Sequence, residues 1–344
     1  MMDGNGGIFR RSVWVWLVAA MALLFALNLC CGSVSIPVRE VIHSLAGMET
    51  QKASWDFIVR ESRLPAAITA MLAGMSLAVS GLMLQTAFRN PLAGPDILGI
   101  NAGAGLGVAI VMLSFGGSLS VGSMALGASV SVIVGAFVGA MAVMGLILLL
   151  SARLKNYVML LIAGIMISYL TSSMISLLNF FSTAEGVHSY TIWGMGNFGG
   201  VSLRQIPFFT VVSLIGLALG LSLIKPLNAI LLGDNYAHNL GINLRRTRLL
   251  LLLSTGLSVA VTTAFCGPVS FIGLAVPHLA RLLLGSENHR SLMPVSLMTG
   301  GIVALLCNVL SSLPGDRGLI PLNAITPAIG APVILYVLLK QFRH

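Results

Sequence analysis

The sequence RNPLAGPDILGINAGAGLG, residues 89–107, joins a polar turn to a helix that has almost no side chains. Its first half contains two prolines and two charged residues. A helix cannot continue through such a segment across a bilayer, because proline removes a hydrogen-bond donor and charges need water. We therefore expect a loop at a membrane surface. In the second half Gly99, Gly103 and Gly107 recur at every fourth residue, which predicts a helix that neighbours approach closely.

The composition is that of a polytopic membrane protein. The 344 residues are 57% hydrophobic and 8% charged, with a mean hydropathy of +0.97, which no water-soluble globular domain shows. The first apolar run follows Arg10 and Arg11 and has no A-x-A-like cleavage site after it. We expect a retained helix rather than a signal peptide. The basic residues are spread singly and form no cluster with aromatics, which argues against nucleic acid as a partner.

Ten apolar runs are long enough to cross about 30 Å of hydrocarbon. They lie at 13–31, 65–88, 96–115, 121–151, 157–181, 203–224, 247–266, 268–284, 293–313 and 326–341. With ten spans and a cytosolic N-terminus, most Lys and Arg residues fall on the cytosolic side, so the positive-inside rule places both termini in the cytosol. The sequence predicts an all-α, polytopic membrane protein with a single transmembrane domain over residues 1–344.

The acidic residues bear on the source of energy. All ten fall in predicted loops or termini, whereas an ion-coupled transporter usually keeps an ionisable group within its spans. No lysine is preceded by a glycine, so the phosphate-binding G-x-x-x-x-G-K-[ST] cannot occur. Energy for any transport would therefore have to come from outside this chain. A secondary transporter and an intramembrane enzyme are the alternatives, and the latter lacks G-x-S-x-G, H-E-x-x-H and a membrane-level Asp pair.

Two spans and the segment between spans five and six carry patterns of small or polar residues. The fourth span has a small residue at every fourth position from Ser123 to Gly139, which indicates close helix contact, with pore lining as the alternative. Between spans five and six, Trp193 fits an interfacial anchor, and a short re-entrant helix is the alternative. In the fifth span one face predicts the lining of a path for a large solute, unless its hydroxyls bond the helix's own carbonyls. That face consists of Gly164, Ser168, Ser172 and Ser176.

The loop at residues 226–246 carries signals for two short helices. Pro226 would end the preceding span, Gly233 or Asp234 would cap a helix over 235–240, Gly241 would close that helix, and Asn243 would cap the next span. An apolar face would remain, beside Arg245, Arg246 and Arg248, and it would consist of Ile230, Leu231, Tyr236, Leu240 and Ile242. This face fits a docking site for a cytosolic partner, and contact with the bilayer interface is the alternative.

Four motifs in order identify a family. They are RNPLAGPDILGINAGAGLG, LGDNYAHNLGINLRRTRLL, CGPVSFIGLAVPHLARLLLGSENHR and IGAPVILYVLLKQ. Over essentially the whole chain they resemble the FecCD, or BtuC-like, family of ABC-importer permeases for iron-siderophores, haem or cobalamin. The resemblance implies a multi-pass protein of the bacterial inner membrane, a homodimer around a central path. It implies two cytosolic ATPase subunits, one periplasmic or lipid-anchored solute-binding protein, no catalytic residue, no cofactor and no metal site.

The resemblance also assigns residues. Its ATPase-coupling helices match a set within 226–246 that consists of Gly233, Asp234, Tyr236, Leu240, Gly241, Arg245 and Arg246. The binding protein would dock on Arg60, Arg63 and Arg317, unless these arginines snorkel or pair locally with Glu61 and Asp316.

Three further features of the motifs complete the expectation. The last external loop departs from the family, with Leu319 where many relatives carry glutamate and Asn323 in place of a frequent glycine. Pro277 and His278 look like the family's PH-x-x-R, which we interpret as a structural element, with Arg281 reaching the cytosolic headgroups. We place residues 89–96 at the cytosolic surface and expect a ferric siderophore as cargo, with haem or cobalamin as alternatives.

Overall fold

Long apolar helices make up most of the chain. The computed structural model describes residues 4–115, 119–121, 124–126, 128–154, 157–313 and 318–341. The α-helices are α1 (Gly4–Cys30), α2 (Val38–Ala46), α3 (Ala53–Phe57), α4 (Leu64–Phe88), α5 (Ile100–Ala109), α6 (Ala128–Arg153), α7 (Tyr157–Phe181), α8 (Ala184–Gly194), α9 (Ile206–Ser222), α10 (Ile224–Leu231), α11 (Asp234–Asn239), α12 (Leu244–Cys266), α13 (Ile272–Leu284), α14 (His289–Ser312) and α15 (Leu322–Gln341). Shorter elements are the π-helical turns Ile58–Arg63 and Ile110–Ser114, the 3-10 turns Pro95–Leu98 and Phe198–Gly200, and the antiparallel strands β1 (Leu119–Val121) and β2 (Met124–Leu126).

The predicted spans correspond to helices. Within the described ranges, 6 helices are long and apolar enough to cross a membrane, and the pair α9 and α10, bent by 46°, can form a seventh span. Three shorter apolar helical segments correspond to α5 with the π-helical turn after it, to α13 and to most of α15. Each predicted run overlaps one of these segments, so the all-α, polytopic fold class is confirmed. The run at 121–151 was placed too early, because Met124–Leu126 form β2 and the helix begins at Ala128. Pro226 was predicted to end the span before it. Helix α9 instead ends earlier, at Ser222, and Pro226 lies in the first turn of α10.

Helix α4 lies at the centre of the bundle, packed against α9, α12, α13 and α14. Its close contacts are backbone to backbone. A Cβ added at Gly74 would lie 2.2 Å from the Gly300 carbonyl oxygen, and one at Gly81 would lie 1.7 Å from that of Gly273. Since lipid is as apolar as a helix surface, such small-residue contacts are what holds membrane helices together.

The glycine face of the opening stretch packs against α6. A Cβ at Gly107 would lie 1.9 Å from the Gly135 carbonyl oxygen, and one at Gly103 would lie 2.6 Å from that of Gly139. The predicted close contact is therefore confirmed for both helices. The first members of the α6 repeat, Ser123 and Gly127, lie outside the described residues.

The bundle has two ends, which α4 joins. We call the end that carries residues 226–246 the lower end and the end that carries α2 and α3 the upper end. Arg63, just before α4, contacts the end of α1, and Arg89, just after α4, contacts Asp234 of α11. At about 1.5 Å per residue, the 25 residues of α4 separate these contacts by roughly 37 Å.

Candidate functional site

The lower-end loop folds as its helix signals predict. Gly233 precedes α11 with φ at 116°, and Gly241 follows it with φ at 79°, a left-handed backbone that favours glycine. Asn243 Oδ1 accepts a hydrogen bond from the backbone N–H of Arg246 at 3.0 Å and so caps α12. The two short helices and the cap are confirmed, and α11 begins at Asp234 and ends at Asn239.

The apolar face of this loop is narrower than predicted. Leu231, Tyr236 and Leu240 are exposed, the last two by 51% and 57%. Ile230 is buried, and Ile242 packs against the small cluster of Ala229, Ile230 and Ala237. The prediction was wrong for these two isoleucines, because they hold α10, α11 and the start of α12 together. We call the exposed set Leu231, Leu232, Tyr236 and Leu240 the lower patch.

Basic side chains border the lower patch. Arg245 and Arg246 are exposed, and a shallow cavity of about 490 Å³ lies between His238 and Arg245. Arg248 differs from them, because its Nη1 donates to the Leu154 carbonyl at 2.9 Å and so joins α12 to the end of α6. The lower patch therefore presents exposed apolar side chains on and beside a short helix, with the cations Arg245 and Arg246 nearby. Such a surface suits contact with another protein.

Residues 89–91 hold the lower-end loop against the bundle. Arg89, left-handed with φ at 47°, ends α4 and its Nη2 lies 2.7 Å from Asp234 Oδ1. The carbonyl of Pro91 is 2.8 Å from His278 Nε2. These contacts place the start of the opening stretch at the lower end, next to the predicted coupling helix.

The PH-x-x-R element of α13 belongs to the same network. Arg281 Nη1 donates to Gln85 Oε1 at 2.6 Å, and its Nε lies 3.0 Å from Glu287 Oε2. Arg281 was expected to reach lipid headgroups, and this was wrong, since α4 and the Glu287 loop hold its guanidinium. His278 contacts a backbone carbonyl, in keeping with the structural interpretation.

The upper-end arginines differ from one another. Arg60 is half exposed, and its Nε lies 3.0 Å from Asp56 Oδ1 and 2.9 Å from the Ser44 carbonyl. The predicted local partner was Glu61, so the pairing residue is corrected to Asp56. Arg317 lies outside the described residues.

Arg63 is only 6% exposed. Its Nη1 donates to the carbonyls of Leu29 and Cys30 at 2.9 and 2.8 Å, and its Nη2 donates to that of Val34. These carbonyls lie at or after the end of α1, where a helix leaves acceptors unsatisfied. Arg63 was expected to be available to a docking partner. The structure corrects this, because its guanidinium is buried and bonds three backbone carbonyls.

The predicted path residues of α7 do not share one environment. Gly164 is buried, and a Cβ there would lie 2.5 Å from the Ile97 carbonyl oxygen. Ser168 Oγ donates to the Gly164 carbonyl at 2.9 Å, and Ser176 Oγ donates to that of Ser172 at 2.9 Å. Back-bonding therefore accounts for both of these donors. Ser172 and Ser176 are exposed, so only the second half of the predicted face is open.

Sequence reasoning missed the role of Asn323. Its Nδ2 donates to the carbonyls of Gly194 and Pro268 at 3.0 and 2.7 Å, and its Oδ1 accepts from Ser270 Oγ at 3.1 Å. One amide thus joins the starts of α13 and α15 to the end of α8. The sequence did contain a signal for this role: an asparagine stands where many relatives have glycine, and a polar side chain at such a position indicates a hydrogen-bond partner.

Helix α8 runs alongside α5. A Cβ at Gly105 would lie 3.3 Å from the Tyr190 hydroxyl, and one at Gly186 would lie 3.5 Å from the Met112 carbonyl. This contact supports the re-entrant alternative for the segment between α7 and α9, because a helix confined to the membrane surface would not run alongside a helix within the membrane. Trp193 stacks on Tyr190 with ring centroids 6.0 Å apart.

The fold defines the class: a multi-pass, all-α membrane protein. Its sequence matches the FecCD transport family over residues 20–340, and the chain belongs to that family. It is 34% identical over 337 residues to the vitamin B12 import system permease protein BtuC of Citrobacter koseri, covering 97% of this chain and 96% of the relative. It is 32% identical over 338 residues to the hemin transport system permease protein HmuU of Yersinia pestis, covering 98% of each.

Solved structures agree with this assignment. An inward-facing metal-chelate type ABC transporter superposes with a TM-score of 0.83 at 29% identity, over 96% of this chain and 99% of that one. PsaBC from Streptococcus pneumoniae, at a TM-score of 0.53 and 16% identity over 80% of this chain and 90% of that one, shares the fold alone. The chain is a permease subunit of an ABC importer for metal chelates, and the ATPase is a separate subunit.

Proposed function

We propose that two copies of this chain form a homodimer around a central path. In this proposal the single permease domain, residues 1–344, has both termini and its lower end in the cytosol. Two ATPase subunits bind the lower end, and one periplasmic or lipid-anchored binding protein docks at the upper end. The relatives named above are importer permeases and the metal-chelate transporter is inward-facing, which supports transport by alternating access.

We propose a ferric siderophore as cargo, and haem and cobalamin are the alternatives. The 34% and 32% identities to the vitamin B12 and hemin permeases are too similar to rank these cargoes. The test is ATP-driven uptake into proteoliposomes of three labelled chelates: a ferric trihydroxamate that carries an ammonium group, haem and cobalamin. We expect uptake of the hydroxamate, and uptake of one of the others alone would replace it.

The lower patch is the observation that carries the coupling role. Leu240 is 57% exposed directly after α11, and the Arg89–Asp234 ion pair joins that helix to the end of α4. An ATPase groove that receives this side chain can move α4 directly. We therefore propose residues 226–246 as the coupling loop, with Gly233 and Gly241 fixing its turns and Arg245 and Arg246 binding acidic groups on the ATPase.

Leu240→Asp tests the coupling role. A carboxylate in an apolar groove costs several kcal/mol unless it is paired, so we expect uptake to fall at least tenfold while basal ATP hydrolysis remains. Leu203→Asp is the matched control, since Leu203 is an exposed leucine in a turn of the loop before α9. Normal uptake with Leu240→Asp, or equal loss in both variants, would refute the coupling role.

For docking we keep Arg60 and Arg317 and omit Arg63. Arg60 is half exposed at the upper end, and its ion pair leaves part of the guanidinium free for an acidic group. Arg60→Glu should weaken binding of the binding protein about tenfold or more through like-charge repulsion. Arg39→Glu, at an exposed arginine on the neighbouring α2, is the control. Equal affinities for the Arg60→Glu variant and the unmodified complex would remove the docking role.

For the path we propose the exposed half of the α7 face, Ser172 and Ser176. Gly164 and Ser168, on the first half of the face, pack against residues 97–99 and so hold α7 in place. Ser172→Cys should react with a water-soluble thiol reagent in the assembled transporter, and failure to react would assign this face to lipid.

A further inference from the structure

Asp96 is an exposed carboxylate in the 3-10 turn between the loop and α5. Asn101 Nδ2 donates a hydrogen bond to Asp96 Oδ1, and Asn101 Oδ1 in turn accepts from Thr263 Oγ1 at 2.6 Å. Thr263 is buried. The three side chains form one polar cluster where α5 begins, and the functions proposed above do not use it.

Two helices measure the depth of this cluster. Thr263 lies about 28 Å along α12 from its first residue, Leu244, at 1.5 Å per residue. Gly164, which packs against Ile97, lies about 10 Å along α7 from its first residue. Both helices start at the lower end, where Arg248 of α12 bonds the Leu154 carbonyl. Asp96 is joined to the first of these levels through Asn101 and lies next to Ile97 at the second. It therefore lies between the two levels, within a hydrocarbon layer of about 30 Å.

This depth corrects the placement of residues 89–96 at the surface. Arg89 does lie at the lower end, since it pairs with Asp234. The chain then turns back into the bundle, because Pro95 packs on Gly273 and the turn that follows packs on Gly164. The acidic residue that was counted among the loops is an intramembrane carboxylate.

The surroundings decide what Asp96 faces. An ionised carboxylate in contact with lipid is costly, and such groups face a protein interior or a water-filled cavity. A dry contact with a second copy would require a cation at the same depth. Among the side chains that the structure describes, each Lys and Arg lies near a helix end or in a connection. Water is thus the remaining environment, and in a transporter that means the transport path.

We infer that Asp96 selects cargo by charge: the path favours chelates that are neutral or positive and present N–H or O–H donors, and it disfavours polyanionic chelates. This inference rests on the proposed function. A carboxylate accepts hydrogen bonds and donates none, and a homodimer presents two of them to the same cargo. The expected cargo is thus an ammonium-bearing hydroxamate chelate or cobalamin rather than haem with its two propionates.

The first test asks whether Asp96 faces water, whatever the cargo. Asp96→Cys, with the four native cysteines replaced, is treated in the full reconstituted complex with a cationic, membrane-impermeant thiol reagent in each nucleotide state. Leu23→Cys, on the exposed apolar side of α1, is the lipid control. Reaction at position 96 but not at 23 is expected. No reaction at position 96 in any nucleotide state overturns the inference.

The second test uses the three chelates of the uptake assay. Asp96→Asn should lower uptake of the ammonium-bearing hydroxamate about fivefold relative to cobalamin, as expected for a unit charge about 6 Å away in mostly aqueous surroundings. Haem uptake should rise. Glu49→Gln removes an exposed charge outside the helices and should change no ratio.

The outcomes separate the inference from the function on which it rests. Uptake of none of the three chelates by the unmodified complex would remove the proposed function, and the thiol reaction would still report on Asp96. If Asp96 only stabilises the start of α5, Asp96→Asn lowers uptake of all chelates equally and the charge inference fails. Rapid haem uptake that Asp96→Asn leaves unchanged would also overturn it.

Discussion

A pair of glycine substitutions tests whether backbone contact between α5 and α6 stabilises the bundle. Gly107→Ala places a methyl group 1.9 Å from the Gly135 carbonyl oxygen and 2.7 Å from its carbon. Both obstacles are backbone, so no flexible side chain can move aside. The helices must separate by about 1.5 Å to restore ordinary contact, and overpacking of this kind costs about 1–3 kcal/mol.

The matched control lies on the helix that Gly107 contacts. Gly145 of α6 has no atom within 4 Å of an added Cβ, so Gly145→Ala changes only intrinsic helix preference, a gain of about 0.8–1 kcal/mol. Gly107→Ala makes the same gain and loses more through overpacking. We therefore expect the two variants to differ by about 1–3 kcal/mol in stability, with Gly107→Ala the less stable.

Thermal inactivation of the purified complex in lipid nanodiscs measures this difference. For a chain of this size, 1 kcal/mol corresponds to roughly 1–2 °C. The apparent midpoint of Gly107→Ala should therefore lie about 2–4 °C below that of Gly145→Ala, which should equal or exceed the midpoint of the unmodified protein. Scan rate must be matched, since membrane complexes unfold irreversibly. Equal shifts in the two variants would refute backbone contact as the cause.

Three further substitutions test contacts that the structure shows. Arg63→Leu leaves three carbonyls without their donor and should cost about 3 kcal/mol or more, measured by thermal inactivation, with partial recovery in Arg63→Lys. Asn323→Leu removes its hydrogen bonds between α8, α13 and α15 and should cost about 2–3 kcal/mol. An apparent midpoint within about 1 °C of that of the unmodified protein would contradict this. Thr183→Ala removes the cap of α8, where its Oγ1 accepts from the Gly186 N–H at 3.2 Å, and should speed hydrogen exchange in α8 alone by a factor of about five.

Local sequence signals predicted the helical elements well. The caps around α11 and α12 depend on residues adjacent in the chain, so Gly233, Gly241 and Asn243 could be read directly. Close packing at Gly103 and Gly107 was also predictable, because a helix face without side chains lets another backbone approach. That the neighbour is α6 was not. These successes share one property: each depends on a pattern within about ten residues.

Two of the charged residues whose placement was wrong show what such patterns omit. Arg63 and Asp96 were both assigned to surfaces because each borders an apolar run. Depth, however, is set by which helices pack beside a residue, and those contacts join distant parts of the chain: Arg63 reaches Val34, and Asn101 joins Asp96 to Thr263. The helix after Asp96 is only 10 residues long before its π-helical turn. A short helix can start within the membrane only if the chain before it re-enters, so the length of α5 rather than the polarity of residues 89–96 places the carboxylate at depth.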